Sequence, residues 1–395
     1  MKCIINPESI RHHYSSFLRS GSLLMTGHSH QAWPNLSKLA LIESFEDASL
    51  HIDDKWEAVF KKCGFVQSHI AHLIGCLPSE IAIAPNTHEL FTRFLSALPL
   101  KQKPVIVATD GEFHSIYRQL KALASAKLLE VRWVKAYPTN ELAQRLIDQI
   151  DDQVSAVVCS AVMFQDASIV HHLDQVHLKA QQHQAKFFLD AYHAFKIIPL
   201  NLSQFQNTED LFISAGGYKY AQWGEGACWM RVPHHDQLRP IYTGWFSDFE
   251  NLDAPRSIES TIQYGQSSQQ RFAGSTFDPT SWYRAAAVSA FFEEENLTIS
   301  RLRENSIVQT EYLIQAFDRL GFQILSPMDS KDRAGFVSIT LPNADHWVNA
   351  LRKEGIYTDA RGSALRFGPA PYLLQSDFDR VIAVMQALKA SKLLG

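Results

Sequence analysis

The residues best suited to chemistry lie in one stretch, 185–231, AKFFLDAYHAFKIIPLNLSQFQNTEDLFISAGGYKYAQWGEGACWMR. Asp190 stands where the apolar run Phe187-Phe188-Leu189 stops. Lys219 sits between Gly216-Gly217-Tyr218 and Tyr220, with Gly224 and Gly226 just beyond. An acid at the end of a buried strand, followed by a lysine among glycines and aromatics, points to a catalytic amine. Such an amine forms a Schiff base with a carbonyl cofactor. A cofactor built on a pyridine ring also needs a carboxylate facing the ring nitrogen, so that the ring stays protonated and withdraws electrons. Asp190 and Lys219 are the candidates for these two tasks. The plainer alternative is a buried aspartate and a loop lysine.

Asp190 with His193, then Tyr218-Lys219-Tyr220 followed by Gly224 and Gly226, resembles the pyridoxal-phosphate enzymes of the class V aminotransferase superfamily, and within it kynureninase. The resemblance covers residues from about 23 to 390 and is sharpest over 190–226 and 365–372. It implies fold type I, an α/β architecture with a large, doubly wound, mainly parallel sheet domain and a smaller C-terminal α+β domain. It implies pyridoxal 5'-phosphate as cofactor, Lys219 and Asp190 as catalytic residues, His193 and Tyr218 beside the cofactor, and a homodimer.

The elements that must position these groups alternate along the chain. Trp56, Val59, Phe60, Phe65, Ile70, Leu73 and Ile74 have helical spacing. A strand over Glu80–Pro85 leads into Asn86-Thr87-His88-Glu89 and an apolar-periodic helix, with Asn86 and Glu89 close to a capping box. A helix start has free amides and the positive end of a dipole, which suits a phosphate. The resemblance gives that role to Thr87 and His88; an ordinary helix start is the alternative. After the strand Pro104–Thr109, Phe113 is the aromatic that in kynureninase stacks on the pyridine ring. The chain departs from kynureninase at Ile116, where that enzyme carries an aspartate. Leu129–Val134, Asn140–Ile150, Val154–Cys159 and Leu173–Gln184 continue as strand, helix, strand, helix, the pattern of a doubly wound domain. Residues 1–60 have no clean period. Within them His28-Ser29-His30 precedes Trp33-Pro34 and either lines the substrate pocket, as the resemblance implies, or is a surface turn.

Beyond residue 231, Trp245 in Thr243-Gly244-Trp245-Phe246-Ser247 resembles the substrate-side segment of kynureninase, without the histidine usual after it. Ser275 and Thr276 resemble the class V segment that reaches the partner subunit's cofactor phosphate; a plain loop is the alternative. Helices are expected over Thr280–Glu294, Asn296–Leu320, Ala344–Lys353 and Asp377–Leu393, with strands at Phe322–Leu325 and Phe336–Leu341. Leu365-Arg366-Phe367-Gly368-Pro369-Ala370-Pro371 is very similar to the kynureninase stretch whose arginine binds the substrate carboxylate, and Arg366 takes that role. Burying an unpaired guanidinium is costly, so Arg366 is expected to face an anionic ligand. The resulting divisions are an N-terminal segment (1–55) lining the active site, a large cofactor-binding domain (56–279) and a small domain (280–395).

Composition narrows the classes. The chain has 395 residues, 46% hydrophobic, with a net charge of −4 and no basic run, so nucleic-acid binding is not expected. Five scattered cysteines with no CxxC pair argue against structural zinc or a disulfide framework. The 17 histidines include His28-x-His30, but no third ligand at helical spacing, so no metal site is expected. The N-terminus lacks a long apolar core and no run reaches membrane-spanning length, so a cytoplasmic setting is expected. The leading function is a pyridoxal-phosphate enzyme acting on an α-amino acid, a kynureninase-like Cβ–Cγ hydrolase. The alternatives are a class V aminotransferase and a non-catalytic fold relative serving as a binding module. Desulfurase chemistry is discounted, because no cysteine follows Cys228 to supply a mobile thiol.

Overall fold

The structure, a computed structural model, describes residues 2–255, 257–259 and 261–391. Its central sheet is assembled from short apolar runs: β2 (Ile81–Ala84), β3 (Val105–Thr109), β4 (Glu130–Val134), β5 (Val154–Ser160), β6 (Lys186–Asp190), β7 (Leu211–Gly216) and β8 (Cys228–Arg231); β1 (Leu23–Leu24) lies apart. The sheet order is β2-β8-β7-β6-β5-β3-β4, with β8 antiparallel to both neighbours and the other pairs parallel. Side chains of a strand alternate between faces. On β3, Val105 and Val107 join one buried cluster and Ile106 and Ala108 the other, so both faces of the sheet are covered. That is why β3 and β5 are apolar and buried along their whole length.

The covering helices are α1 (Pro7–Arg11), α2 (Leu36–His51), α3 (Lys55–Ile74), α4 (Thr87–Ala97), α5 (His114–Ser125), α6 (Leu142–Ile147), α7 (Leu173–Gln182), α8 (Ser268–Arg271) and α9 (Thr280–Glu294). The helix expected over Asn140–Ile150 is shorter, because Thr139–Glu141 turns as a 3-10 helix first. No period in residues 1–60 announces α2. The helix buries the small residues Ser37, Ala40 and Ser44, while Leu39, Ile42, Phe45 and Leu50 are exposed. Its inward face is therefore small and partly polar, which hides the usual apolar stripe. That face packs on α9, which also lies on α3, so the helix at the expected domain boundary sits against the large domain.

The smaller domain follows with α10 (Ile299–Arg319), β9 (Gln323–Ile324), β10 (Val337–Thr340), α11 (Ala344–Lys353), β11 (Ile356–Tyr357), β12 (Asp359–Arg361), β13 (Ala364–Phe367) and α12 (Gln375–Ala390). Residues 392 and 393 of the last expected helix lie outside the described residues. Its antiparallel sheet runs β12-β13-β10-β9. The N-terminal segment is sewn to this domain: β1 pairs in parallel with β11, Gly27 N–H donates to Gly368 O at 2.8 Å, and Gly368 N–H donates to Met25 O at 2.7 Å.

Candidate active site

The carboxyl ends of the parallel strands open on one cavity of about 390 Å³, the place where open α/β sheets bind ligands. Thr87, His88, Phe113, Asp190, His193 and Lys219 share its wall. Asp190 is the last residue of β6, level with Ser160 of β5 and Ser214 of β7. Its Oδ1 accepts from the Tyr192 N–H at 2.9 Å. Burial pushes the Asp190 carboxyl up; the Tyr192 amide and the Lys219 charge oppose the shift. Glu112 lies behind it and was not singled out from the sequence. Thr109 Oγ1 donates to Glu112 Oε1 (2.5 Å) and Ser160 Oγ to Oε2 (2.7 Å), and burial raises the Glu112 carboxyl to about 7.

Lys219 follows β7 by a tight turn that has no room for side chains. A Cβ on Gly216 would collide with Cys228 Sγ and Tyr192 Oη, and one on Gly217 with the Trp223 ring. The turn places Lys219 4% exposed. Its Nζ lies 2.9 Å from His193 Nε2, and 4.6, 5.5 and 5.6 Å from the ring centroids of Tyr192, Phe113 and Tyr218. Burial lowers the Lys219 amine to about 7, against the pull of Asp190 and with help from Arg366 and Arg361. The same burial, with the neighbouring lysine, holds His193 well below its ordinary value. A lysine half neutral at pH 7 is a nucleophile and a base. On the opposite wall α4 begins, with Asn86 Oδ1 accepting from the Glu89 N–H at 2.9 Å.

These residues fit pyridoxal phosphate. The buried carboxyl of Asp190 matches a cationic ring nitrogen, the flat Phe113 and Tyr192 rings match a flat heterocycle, and the start of α4 matches a phosphate.

Other expected site residues lie elsewhere. Ser275 and Thr276 line a separate groove of about 660 Å³ with Arg93 and Gly244; it meets the Lys219 cavity at Pro85. Trp245 belongs with them, its Nε1–H donating to Thr276 Oγ1 at 3.3 Å. His30 is exposed, stacks on Tyr218 at 5.3 Å, and lines an outer cavity of about 530 Å³ that shares Tyr218 and Glu225 with the inner one.

Two expected site residues have buried partners of their own. His28 makes no substrate-side surface: it is 0% exposed, its ring stacks on Phe336 at 4.6 Å, and its Nε2 lies 2.9 Å from Asp359 Oδ1. Arg366 is buried but not unpaired. Its Nε donates to Asp359 Oδ1 (2.8 Å), its Nη2 to Asp359 Oδ2 (2.5 Å) and its Nη1 to Phe164 O (2.5 Å). In the β12–β13 hairpin Asp359 stands directly across from Arg366, where opposite charges attract.

Comparison with known proteins agrees with this geometry. A family model described as the kynureninase C-terminal domain matches residues 302–388. A kynureninase from Bacillus thuringiensis is 24% identical over 377 residues, covering 89% of this chain and 83% of that protein. An uncharacterized aminotransferase, YcbU of Bacillus subtilis, is 22% identical over 343 residues, covering 86% and 88%. The apo cysteine desulfurase of Thermococcus onnurineus NA1 superposes with a TM-score of 0.82 at 16% identity, covering 99% of both chains. A C-DES variant with glycine covalently linked to its PLP cofactor gives 0.82 at 16% identity over 95% of this chain and 98% of that one. The chain has the fold type I architecture of these PLP-enzyme structures and is similar to kynureninase over most of its length. The kynureninase C-terminal match takes in the whole β12–β13 hairpin with Asp359, Arg361 and Arg366.

Proposed function

We propose that this chain belongs to the class V aminotransferase superfamily and is a pyridoxal-phosphate enzyme acting on an α-amino acid, with kynureninase-like Cβ–Cγ hydrolysis as its reaction. One observation carries the cofactor: Lys219, buried among three aromatic rings with its amine lowered to about 7, shares a cavity with Asp190. When bound, the cofactor supplies an electron sink for the substrate α-carbon. The chain's own residues do the rest. Lys219 Nζ would hold and return the proton of the α-carbon, and the Asp190 carboxylate would keep the ring nitrogen protonated. Phe113 and Tyr192 would exclude water from the cofactor, the α4 amides at Thr87 and His88 would hold its phosphate, His193 would orient the lysine, and Arg366 would receive the substrate carboxylate.

The second reading, a class V aminotransferase, is favoured by Ile116. It is buried and apolar where kynureninase has an aspartate. Desulfurase chemistry fits poorly, since the Cys228 thiol in the cavity wall is pushed up to about 11 by burial and stays protonated. In this reading the active unit is a homodimer, whose second subunit brings Ser275, Thr276 and Trp245 toward the cavity. The three-part division at residues 55 and 279 and a cytoplasmic setting are part of the same proposal; the five cysteines are unbridged, and no described helix is long and apolar enough to cross a membrane. The test is an assay with kynurenine, 3-hydroxykynurenine and a panel of amino acids, scored for alanine release against keto-acid formation. Keto acid without alanine selects the transaminase, and no turnover with a bound cofactor rejects both reactions for these substrates. Sedimentation of a fully active monomer would remove the dimer.

A further inference from the structure

Behind Asp190 stands a second carboxyl, Glu112, that takes no part in the proposed reaction. It is 3% exposed. Thr109 Oγ1 donates to its Oε1 at 2.5 Å, Ser160 Oγ to its Oε2 at 2.7 Å, and the Ser160 N–H to Oε1 at 3.3 Å. All three donors are uncharged. Thr109 ends β3 and Ser160 ends β5, and Ser160 is level with Asp190 on β6. Ser160 and Asp190 both line the Lys219 cavity, so Ser160 links Glu112 to its wall.

Two roles are open to such a group. As a staple, Glu112 ties β3 to β5 and fixes the loop that carries Phe113, and its charge is irrelevant. As an electrostatic partner of Asp190, its charge counts. The surroundings favour the second role. A staple needs only hydrogen bonds, and an uncharged glutamine costs less to bury than a carboxylate. Facing Glu112 are the Asp190 carboxyl from β6 and the Cys159 thiol from β5, with the Lys219 amine beyond Asp190. The thiol is pushed up by burial and stays neutral. Of the chain neighbours, Asp110 bonds Lys135 at 2.9 Å and His114 packs on Phe164 at 5.6 Å. Burial, with the Asp190 charge, raises Glu112 to about 7 against its three hydrogen bonds. Like charges resist ionising together, so Glu112 keeps a proton readily until a cation arrives beside Asp190.

Resting on the cofactor reading above, we propose that Glu112 is a positioning residue for the cofactor ring: it acts through Asp190, giving up its proton to set a second negative charge behind a cationic ring nitrogen. Just below pH 7, ring binding then releases one proton from Glu112 to water; well above pH 7 none is left to release. Affinity for the ring therefore rises as pH climbs toward and through 7.

The full chain, freed of cofactor, is titrated by equilibrium dialysis with pyridoxamine 5'-phosphate, an amine that forms no Schiff base with Lys219. At each pH the affinity is divided by that of Glu112→Gln, which cancels the titration of the probe and of Lys219. The ratio should be flat at low pH and then rise about tenfold, or about 1.4 kcal/mol. Thr109→Val removes a donor that favours the charged form, so its rise should sit at higher pH than the wild type's. A ratio independent of pH overturns the proposal and leaves Glu112 a staple. A rise that Thr109→Val does not move overturns it too. Should Glu112→Gln fail to fold, the wild type is divided by Thr109→Val instead; that ratio should peak around pH 7, and a flat one overturns the proposal. Each of these failures leaves the cofactor reading standing, because the probe still binds. A wild type that binds the probe at no pH overturns that reading as well.

Discussion

The amine of Lys219 should titrate near pH 7, and Asp190→Asn should move that midpoint lower. Burial takes the lysine from its ordinary 10.5 to about 7, a loss of proton affinity of about 5 kcal/mol. At pH 7 about half of the Lys219 amines are then neutral, against about one part in 3,000 for a solvated lysine. Asp190 works against this shift, because its negative charge favours the protonated amine. Removing the charge without changing the shape therefore lowers the midpoint. The assay is the rate at which cofactor-free protein captures pyridoxal 5'-phosphate, followed in the visible from pH 5.5 to 9. Capture by Nα-acetyl-lysine corrects for the titration of the aldehyde itself. The wild type should rise to a plateau around pH 7, and Asp190→Asn should reach its plateau at lower pH. The variant's turnover should nonetheless fall, since the ring nitrogen loses its anion. A wild-type midpoint near 10, or a midpoint that rises in Asp190→Asn, would refute the picture of a desolvated amine facing a buried carboxylate.

Lys219→Ala should abolish both the visible band and turnover; an active variant would take Lys219 out of the mechanism. Arg366→Ala should raise the Michaelis constant for a carboxylate-bearing amino acid, since removing one partner of a desolvated charged pair costs about 2–5 kcal/mol, or roughly one and a half to three and a half decades. Steady-state kinetics check this, with the cofactor band retained. Glu80 is buried, with Oε1 2.6 Å from Arg231 Nη2; Glu80→Ala should cost about 3–5 kcal/mol in urea unfolding by leaving that guanidinium unpaired, and a loss within experimental error would show the pair to be dispensable. His28 and His177 are buried and protonate at about 4 instead of 6.5. Between these values the unfolded chain binds more protons, so stability is complete above about pH 6.5 and falls as pH drops toward 4, by about 3 kcal/mol for each histidine. Melting temperatures across that range test it, and His177→Phe should lessen the slope.

The parallel strands β3, β5, β6 and β7 could be read in the sequence because each carries a short, buried apolar run that ends in a polar or small residue, whereas β4 at the sheet edge is EVRWV and largely half-exposed. Asp190 and Lys219 were visible for the same reason, one closing a strand and the other following a glycine turn too crowded for any side chain. What escaped depends on contacts distant in sequence or on faces without a pattern. α2 turns Ser37, Ala40 and Ser44 inward, so it carries no apolar stripe. Glu112 reads as a loop acid until β3 and β5 bring Thr109 and Ser160 to it. His28 looked like half of a histidine pair on a loop, but its partner is Asp359, 331 positions away. The pairing of Asp359 with Arg366 needed the hairpin register, which a reading of 365–371 as an isolated stretch did not supply.

β1 is among the first elements made, yet its pairing partner β11 comes about 330 residues later. At roughly 5–20 residues per second, synthesis leaves Leu23 and Leu24 without that partner for about 15–65 s. During that interval the large domain can already close around its sheet, and His30 and α2 can already reach Tyr218 and α9, while β1 itself waits for its strand partner. The last stretch to be made therefore finishes the job of the first. A chain cut short before β11 would hold Asp190 and Lys219 on a folded sheet but leave the edge of β1 unpaired, a target for pairing with other chains. Supplying the missing C-terminal piece as a separate polypeptide would show whether the two ends can find each other without the covalent link.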